Sequence, residues 1–186
     1  MTFRNNASKI PVLPVSLGIV LVLSSALFFT RLGERELRNP DEGRYAEVAR
    51  EMAVSGDWLE PTLYGVDYLR KPILFYWLLA LSFKLFGFSE FAARAVPALF
   101  GVLGVLATYV FARRYFGEKA ALFSALVLAT NLWYVQIGRF VLIDAVFSFF
   151  LTGALYSLYH ALESGSRRWN VLGYALIGLA FLTKGV

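Results

Sequence analysis

Asn39-Pro40-Asp41-Glu42-Gly43-Arg44-Tyr45, answered by Tyr68-Leu69-Arg70-Lys71-Pro72, bounds a polar, charge-dense stretch between one apolar run and a long series of others. Pro40 suits the first position of a helix, with Asn39 as N-cap and Glu42 at N3 completing a capping box. A helix is therefore expected over 41–55, ended by Gly56. Asp41, Arg44/Tyr45, Val48 and Met52 then share one face at i, i+3/i+4 spacing. Carboxylate, guanidinium and ammonium groups gathered beside hydrocarbon point to work at a bilayer surface, and chemistry on a lipid-linked anion suits them.

Working outward, the chain of 186 residues is 58% hydrophobic and 17% aromatic, with a mean hydropathy of +0.60. Soluble domains carry less apolar sequence, so an integral membrane protein is expected. The absence of cysteine excludes disulfides and thiolate metal sites and leaves the redox compartment unreadable. The lone His160 makes no histidine cluster, and its place near the end of a span favours an interfacial role. The net charge of +5 is spread between apolar runs. That pattern reads as membrane topology and excludes nucleic acid as the expected partner. Pro11 to Phe29 is longer than a signal h-region of about 7–15 residues, and no small-x-small cleavage site follows, so it reads as a retained transmembrane helix.

Apolar runs fall at 11–30, 73–87, 94–112, 119–138, 141–161 and 170–186. The run 73–87 is short for a span, carries Lys84 and lies between Pro72 and Gly87. The basic clusters Arg4/Lys9, Arg113/Arg114/Lys119 and Arg167/Arg168 share the cytoplasmic side only if 73–87 does not cross. The expected fold is all-α and multi-pass. About five transmembrane helices accompany two juxtamembrane helices in an external loop over 31–93. No internal repeat is visible, and residues 1–186 are expected to be the N-terminal part of a longer membrane protein.

Two roles are open to the first acids. Asp41 and Glu42 can complement the helix dipole and cap, or Asp41 can accept an acceptor proton or bind a divalent cation. Arg44 and Lys71 are candidates to hold phosphate, Arg by its fork and Lys as a point charge. Snorkelling of Arg70 and Lys71 beside Pro72 is the plainer alternative. Asp144 stands among Leu142, Ile143, Ala145 and Val146, a costly place for an acid without a partner or a task. Arg139 is its expected neighbour, and the topology puts Asp144 on the side of Asp41. Lys184, near the outer end of the last run, either reaches a lipid phosphate or snorkels. Glu90, Arg94 and Trp77 read as interfacial anchors, and Trp58, Trp133 and Trp169 as an aromatic belt.

Asp41-Glu42-Gly43-Arg44-Tyr45, Gly56-Asp57-Trp58, Tyr68-Leu69-Arg70-Lys71-Pro72, Ser89-Glu90-Phe91-Ala92-Ala93-Arg94 and Leu182-Thr183-Lys184-Gly185, in that order, resemble polyprenyl-phosphate-sugar-dependent glycosyltransferases of the GT-C type. Specifically they look like the bacterial aminoarabinose-transferase and protein-mannosyltransferase relatives of that type. The resemblance implies an inner-membrane enzyme with its active site on the external face. Such an enzyme transfers sugar from an undecaprenyl-phosphate-linked donor to a lipid, glycan or protein acceptor. It implies catalytic acids at Asp41 and Asp144 and phosphate contacts from Arg44 and Lys71, with Tyr45, Tyr68 and Lys184 completing the candidate phosphate site. Some relatives have an acid before this Lys or a second Pro after Pro72. Here Arg70 and Ile73 stand there, so no metal ligand is assigned and a divalent cation stays an open possibility. A transporter or channel, or a non-catalytic assembly subunit, is the alternative. A transporter would be expected to carry charges within its spans, which are nearly charge-free before Lys184.

Overall fold

The computed structural model describes residues 15–37 and 40–185, so the Arg4/Lys9 flank and the Asn39 cap lie outside the described residues. Among the described residues, seven helices and one small hairpin follow in chain order: α1 (Val15–Phe29), α2 (Pro40–Ser55), β1 (Thr62–Leu63), β2 (Val66–Asp67), α3 (Leu74–Phe86), α4 (Glu90–Thr130), α5 (Leu132–Arg139), α6 (Ile143–Ser164) and α7 (Arg167–Lys184). The antiparallel β1–β2 pair is in register Thr62 to Asp67 and Leu63 to Val66. The architecture is all-α and multi-pass. α4 and α6 are long and apolar enough to cross a bilayer, and α1 and α3 are shorter apolar helices.

Local chemistry sets the ends. Ser89 caps α4 by accepting from the Ala92 N–H at 3.2 Å. Within α4, Gly117 leaves helical geometry at φ 85° and ψ 177°, a region open to glycine and strained for other residues. The chain turns back there, since Tyr134 of α5 donates to the Gly101 carbonyl at 3.0 Å. The expected single span 119–138 is therefore two pieces. Asn131 breaks it with extended backbone, its side chain accepting from the Tyr134 N–H at 3.0 Å to start α5. α6 ends at Gly165 in the left-handed conformation, and α7 packs back along α6 with Gly173 against Leu158.

Two ends of the bundle differ in character. At one, Ser16, Tyr109, Glu118 and Arg113 are joined by hydrogen bonds and an ion pair. His160 meets both Tyr115 and Trp169 there. This gathers the start of α1 with the Gly117 break, beside Arg113, Arg114 and Lys119, and the α6–α7 turn, which carries Arg167 and Arg168. At the opposite end lie the last turn of α1, the start of α4, the α5–α6 junction and the last turn of α7. α2 and α3 pack together across that end. Pro72, before α3, approaches Gly185, and Ser82, late in α3, donates to the Ala92 carbonyl at 2.6 Å. Both ends of α3 thus rest at the same end of the bundle.

Candidate active site

α2 buries Glu42, Tyr45, Ala46, Val48, Ala49 and Met52. Of the face expected for Asp41, Arg44/Tyr45, Val48 and Met52, the positions Tyr45, Val48 and Met52 form one buried stripe. Val48 and Met52 turn inward with Glu42, while Asp41 and Arg44 stand at the rim, because burial follows the apolar stripe. At the rim Arg44 Nη2 pairs with Asp41 Oδ1 at 2.7 Å. Arg44 Nη1 also approaches the Tyr68 hydroxyl at 3.5 Å. Behind it, Tyr45 meets Phe75 edge-on at 5.6 Å and Tyr76 at 6.1 Å, and Tyr68 meets Tyr76 at 6.4 Å. Tyr45 and Tyr68 are buried by this aromatic wall. The buried Tyr76 hydroxyl has no hydrogen-bond partner among the described residues. Arg44, Asp67, Tyr68 and Arg70 line a cleft of about 360 Å³ with the hairpin.

The second acid is corrected in its partner. Asp144, in the first turn of α6, pairs with Lys184 Nζ at 2.6 Å rather than with Arg139. Lys184 also stands 5.6 Å from the Phe147 ring centre. Arg139 is engaged elsewhere, donating to the carbonyls of Leu27 (2.5 Å), Phe28 (3.4 Å) and Thr30 (2.8 Å). A guanidinium there satisfies carbonyls that the end of α1 leaves without intrahelical partners.

The remaining cation joins the group through the backbone. Pro72 lies 3.5 Å from where a Cβ on Gly185 would sit, so Lys71-Pro72 and Lys184-Gly185 are neighbouring segments. Among the described residues Lys71 forms no ion pair. Tyr45 senses both acids. Burial raises its phenol most, and the negative charges of Asp41 and, less strongly, Asp144 push the same way. Three separated stretches of sequence therefore meet at one end of the bundle, carrying Asp41, Arg44, Tyr45, Tyr68, Lys71, Asp144 and Lys184. No group of three or more acids or histidines suited to a metal occurs among the described residues. Asp41 and Asp144 each face a cation.

Sequence reasoning missed the most buried charges. Glu42 pairs with Arg94, the two side chains 0% and 5% exposed. Arg94 had read as an interfacial anchor. The signal was present in α2: Glu42 sits at i, i+3, i+4 and i+7 spacing with Tyr45, Ala46 and Ala49, on the core stripe, where an acid demands a buried partner.

An all-α bundle of apolar helices, two of them long enough to cross a bilayer, with paired acids and cations across one end defines a multi-pass membrane protein with a charged site at that end. Residues 70–186 match the family described as dolichyl-phosphate-mannose-protein mannosyltransferase. The chain belongs to this family of GT-C glycosyltransferases. It is 35% identical over 173 residues to the undecaprenyl phosphate-alpha-4-amino-4-deoxy-L-arabinose arabinosyl transferase of Pseudomonas aeruginosa, covering 90% of this chain and 32% of the relative. The Edwardsiella ictaluri protein of the same name is 36% identical over 175 residues, covering 91% and 31%. The crystal structure of ArnT from Cupriavidus metallidurans bound to undecaprenyl phosphate superposes with a TM-score of 0.86 at 32% identity, covering 91% of this chain and 32% of that one. The chain spans about a third of the length of the curated relatives it matches.

Proposed function

We propose that this chain forms the donor-handling part of an inner-membrane glycosyltransferase that moves a sugar from an undecaprenyl-phosphate-linked donor to a lipid A-like, glycan or protein acceptor. The observation that carries this is the meeting of Asp41–Arg44, Lys71 and Asp144–Lys184 at one end of the bundle. The leaving group is a polyprenyl phosphate anion, and cations fixed where its charge develops lower the barrier. Arg44 and Lys71 take that role, with Lys184 beside them and Tyr45 and Tyr68 shaping the wall behind Arg44. Asp41 and Asp144 orient the acceptor and the cations, and Asp41 takes the acceptor proton where the acceptor is a hydroxyl. The charge-bearing end faces the periplasm, with Arg113–Lys119 and Arg167/Arg168 cytoplasmic, as the positive-inside rule orders them. The relatives' names and the undecaprenyl phosphate in the solved relative support the donor class.

The test is transfer by the purified full-length protein from an undecaprenyl-phosphate-linked aminosugar to an acceptor lipid, scored by release of undecaprenyl phosphate. Wild type should turn over, and Asp41→Asn should lose about 10²-fold or more at unchanged expression. Full activity of Asp41→Asn would reduce Asp41 to a helix-end charge.

A further inference from the structure

Glu42 and Arg94 form a closed knot of hydrogen bonds deep under the site. Arginine carries five N–H donors, and Arg94 uses them on five acceptors. Nε donates to Glu42 Oε1 at 3.0 Å and Nη2 to Glu42 Oε2 at 3.2 Å. Nη1 donates to the carbonyls of Leu32 at 3.2 Å and Arg35 at 2.6 Å, and Nη2 to that of Glu36 at 3.0 Å. Glu42 Oε1 also accepts from the backbone N–H of Val141 at 2.9 Å.

Four segments meet in this knot: the turn after α1, the first turn of α2, the second turn of α4 and the α5–α6 junction. Two of them carry the candidate acids. Glu42 follows Asp41 directly, and Val141 stands three residues before Asp144. A single carboxylate thus holds both acid-bearing segments, and a single guanidinium fixes that carboxylate and the loop leading into α2. We propose that Glu42 and Arg94 are positioning residues that set Asp41 relative to Asp144, a role that rests on the transferase reading above. Arg94 gives the pair its direction: lysine, with three donors on one nitrogen, cannot fork across the carboxylate and reach three carbonyls. Burial of the pair with every Arg94 donor used favours one arrangement of the four segments.

The test uses the full-length protein in detergent, with transfer normalised to folded, monodisperse material. Arg94→Met leaves the buried Glu42 carboxylate without its guanidinium and is expected to fold poorly. The double variant Glu42→Gln/Arg94→Met removes both charges, keeps an acceptor for the Val141 N–H, and should recover thermal stability. Its kcat is expected to stay about 10²-fold down, with the KM for the lipid donor little changed, because the donor cations are untouched. Arg94→Lys should fold and show the same split more mildly. A double variant that transfers like wild type would overturn the proposal and leave the pair a structural tie. If the double variant does not fold, Arg94→Lys decides alone, and a wild-type kcat for it overturns the proposal equally. The two readings fail separately. A wild type with no transfer counts against the transferase, whereas loss in Asp41→Asn beside full activity in these variants counts against positioning alone.

Discussion

A methyl group added at Gly138 would strike the ring of Phe28. An ideal Cβ there lies 2.3 Å from Phe28 Cε1 and 2.7 Å from Cδ1, and Gly101 faces the same ring edge with a Cβ position 2.6 Å from Cε1. Phe28 is fully buried and meets Tyr134 edge-on at 5.9 Å, so the ring has no side on which to retreat. The backbone cannot give either, because neighbouring Arg139 is tied to the Leu27 and Phe28 carbonyls. Between helices in a bilayer, close packing supplies the association that hydrophobicity supplies in water, and small residues permit it. Overpacking of this kind costs about 1–3 kcal/mol, whereas Phe28→Ala alone costs about 3–5 kcal/mol through lost contacts and a cavity. Because the added methyl and the ring compete for one space, Gly138→Ala with Phe28→Ala should be less destabilised than the sum by about 0.5–3 kcal/mol. Thermal unfolding of the four proteins in detergent closes the cycle. Unchanged stability of Gly138→Ala, or strict additivity, would refute the packing of α5 against α1.

Three further outcomes are expected. Lys184→Met should change stability by no more than about 1 kcal/mol, since Lys184 and Asp144 are 40% and 39% exposed, yet it should depress transfer; a large fall in unfolding temperature with normal turnover would make the pair structural. In this cysteine-free background, Leu59→Cys should react with an impermeant thiol reagent from the periplasm and Leu162→Cys only after permeabilisation; the reverse pattern would invert the orientation. The buried phenols of Tyr45 and Tyr76 sit above the ordinary value of 10.0, chiefly through burial. The folded state therefore holds those protons more tightly, and their contribution is complete below pH 10 and lost as pH rises beyond it. Phenolate absorbance should show no transition below pH 10 that Tyr45→Phe removes.

Much of the fold lay open in local patterns. Helices expected over 41–55 and 73–87 occur as Pro40–Ser55 and Leu74–Phe86, because proline, glycine and apolar periodicity act within a few residues. The break at Asn131 was hidden, since an asparagine inside an apolar run looks tolerable until its side chain caps the next helix. Ion-pair partners were the least legible. Arg94 lies 52 positions from Glu42 and Lys184 lies 40 from Asp144, separations that only the packing of α4 and α7 brings to contact. Arg139 looked like the partner of Asp144 because it is near in sequence. Carbonyls at the end of α1, invisible in a sequence, claim it instead.

Binding of undecaprenyl phosphate to the detergent-solubilised full-length protein tests the anion site most directly, comparing wild type with Lys71→Ala and Arg44→Lys. Losing a charge-assisted contact removes about 1.5–3 kcal/mol, so Lys71→Ala should weaken binding by about tenfold or more. Arg44→Lys should also weaken it despite keeping the charge, because lysine has no fork with which to hold Asp41 and a phosphate together. Wild-type affinity in both variants would contradict a phosphate site at Arg44 and Lys71.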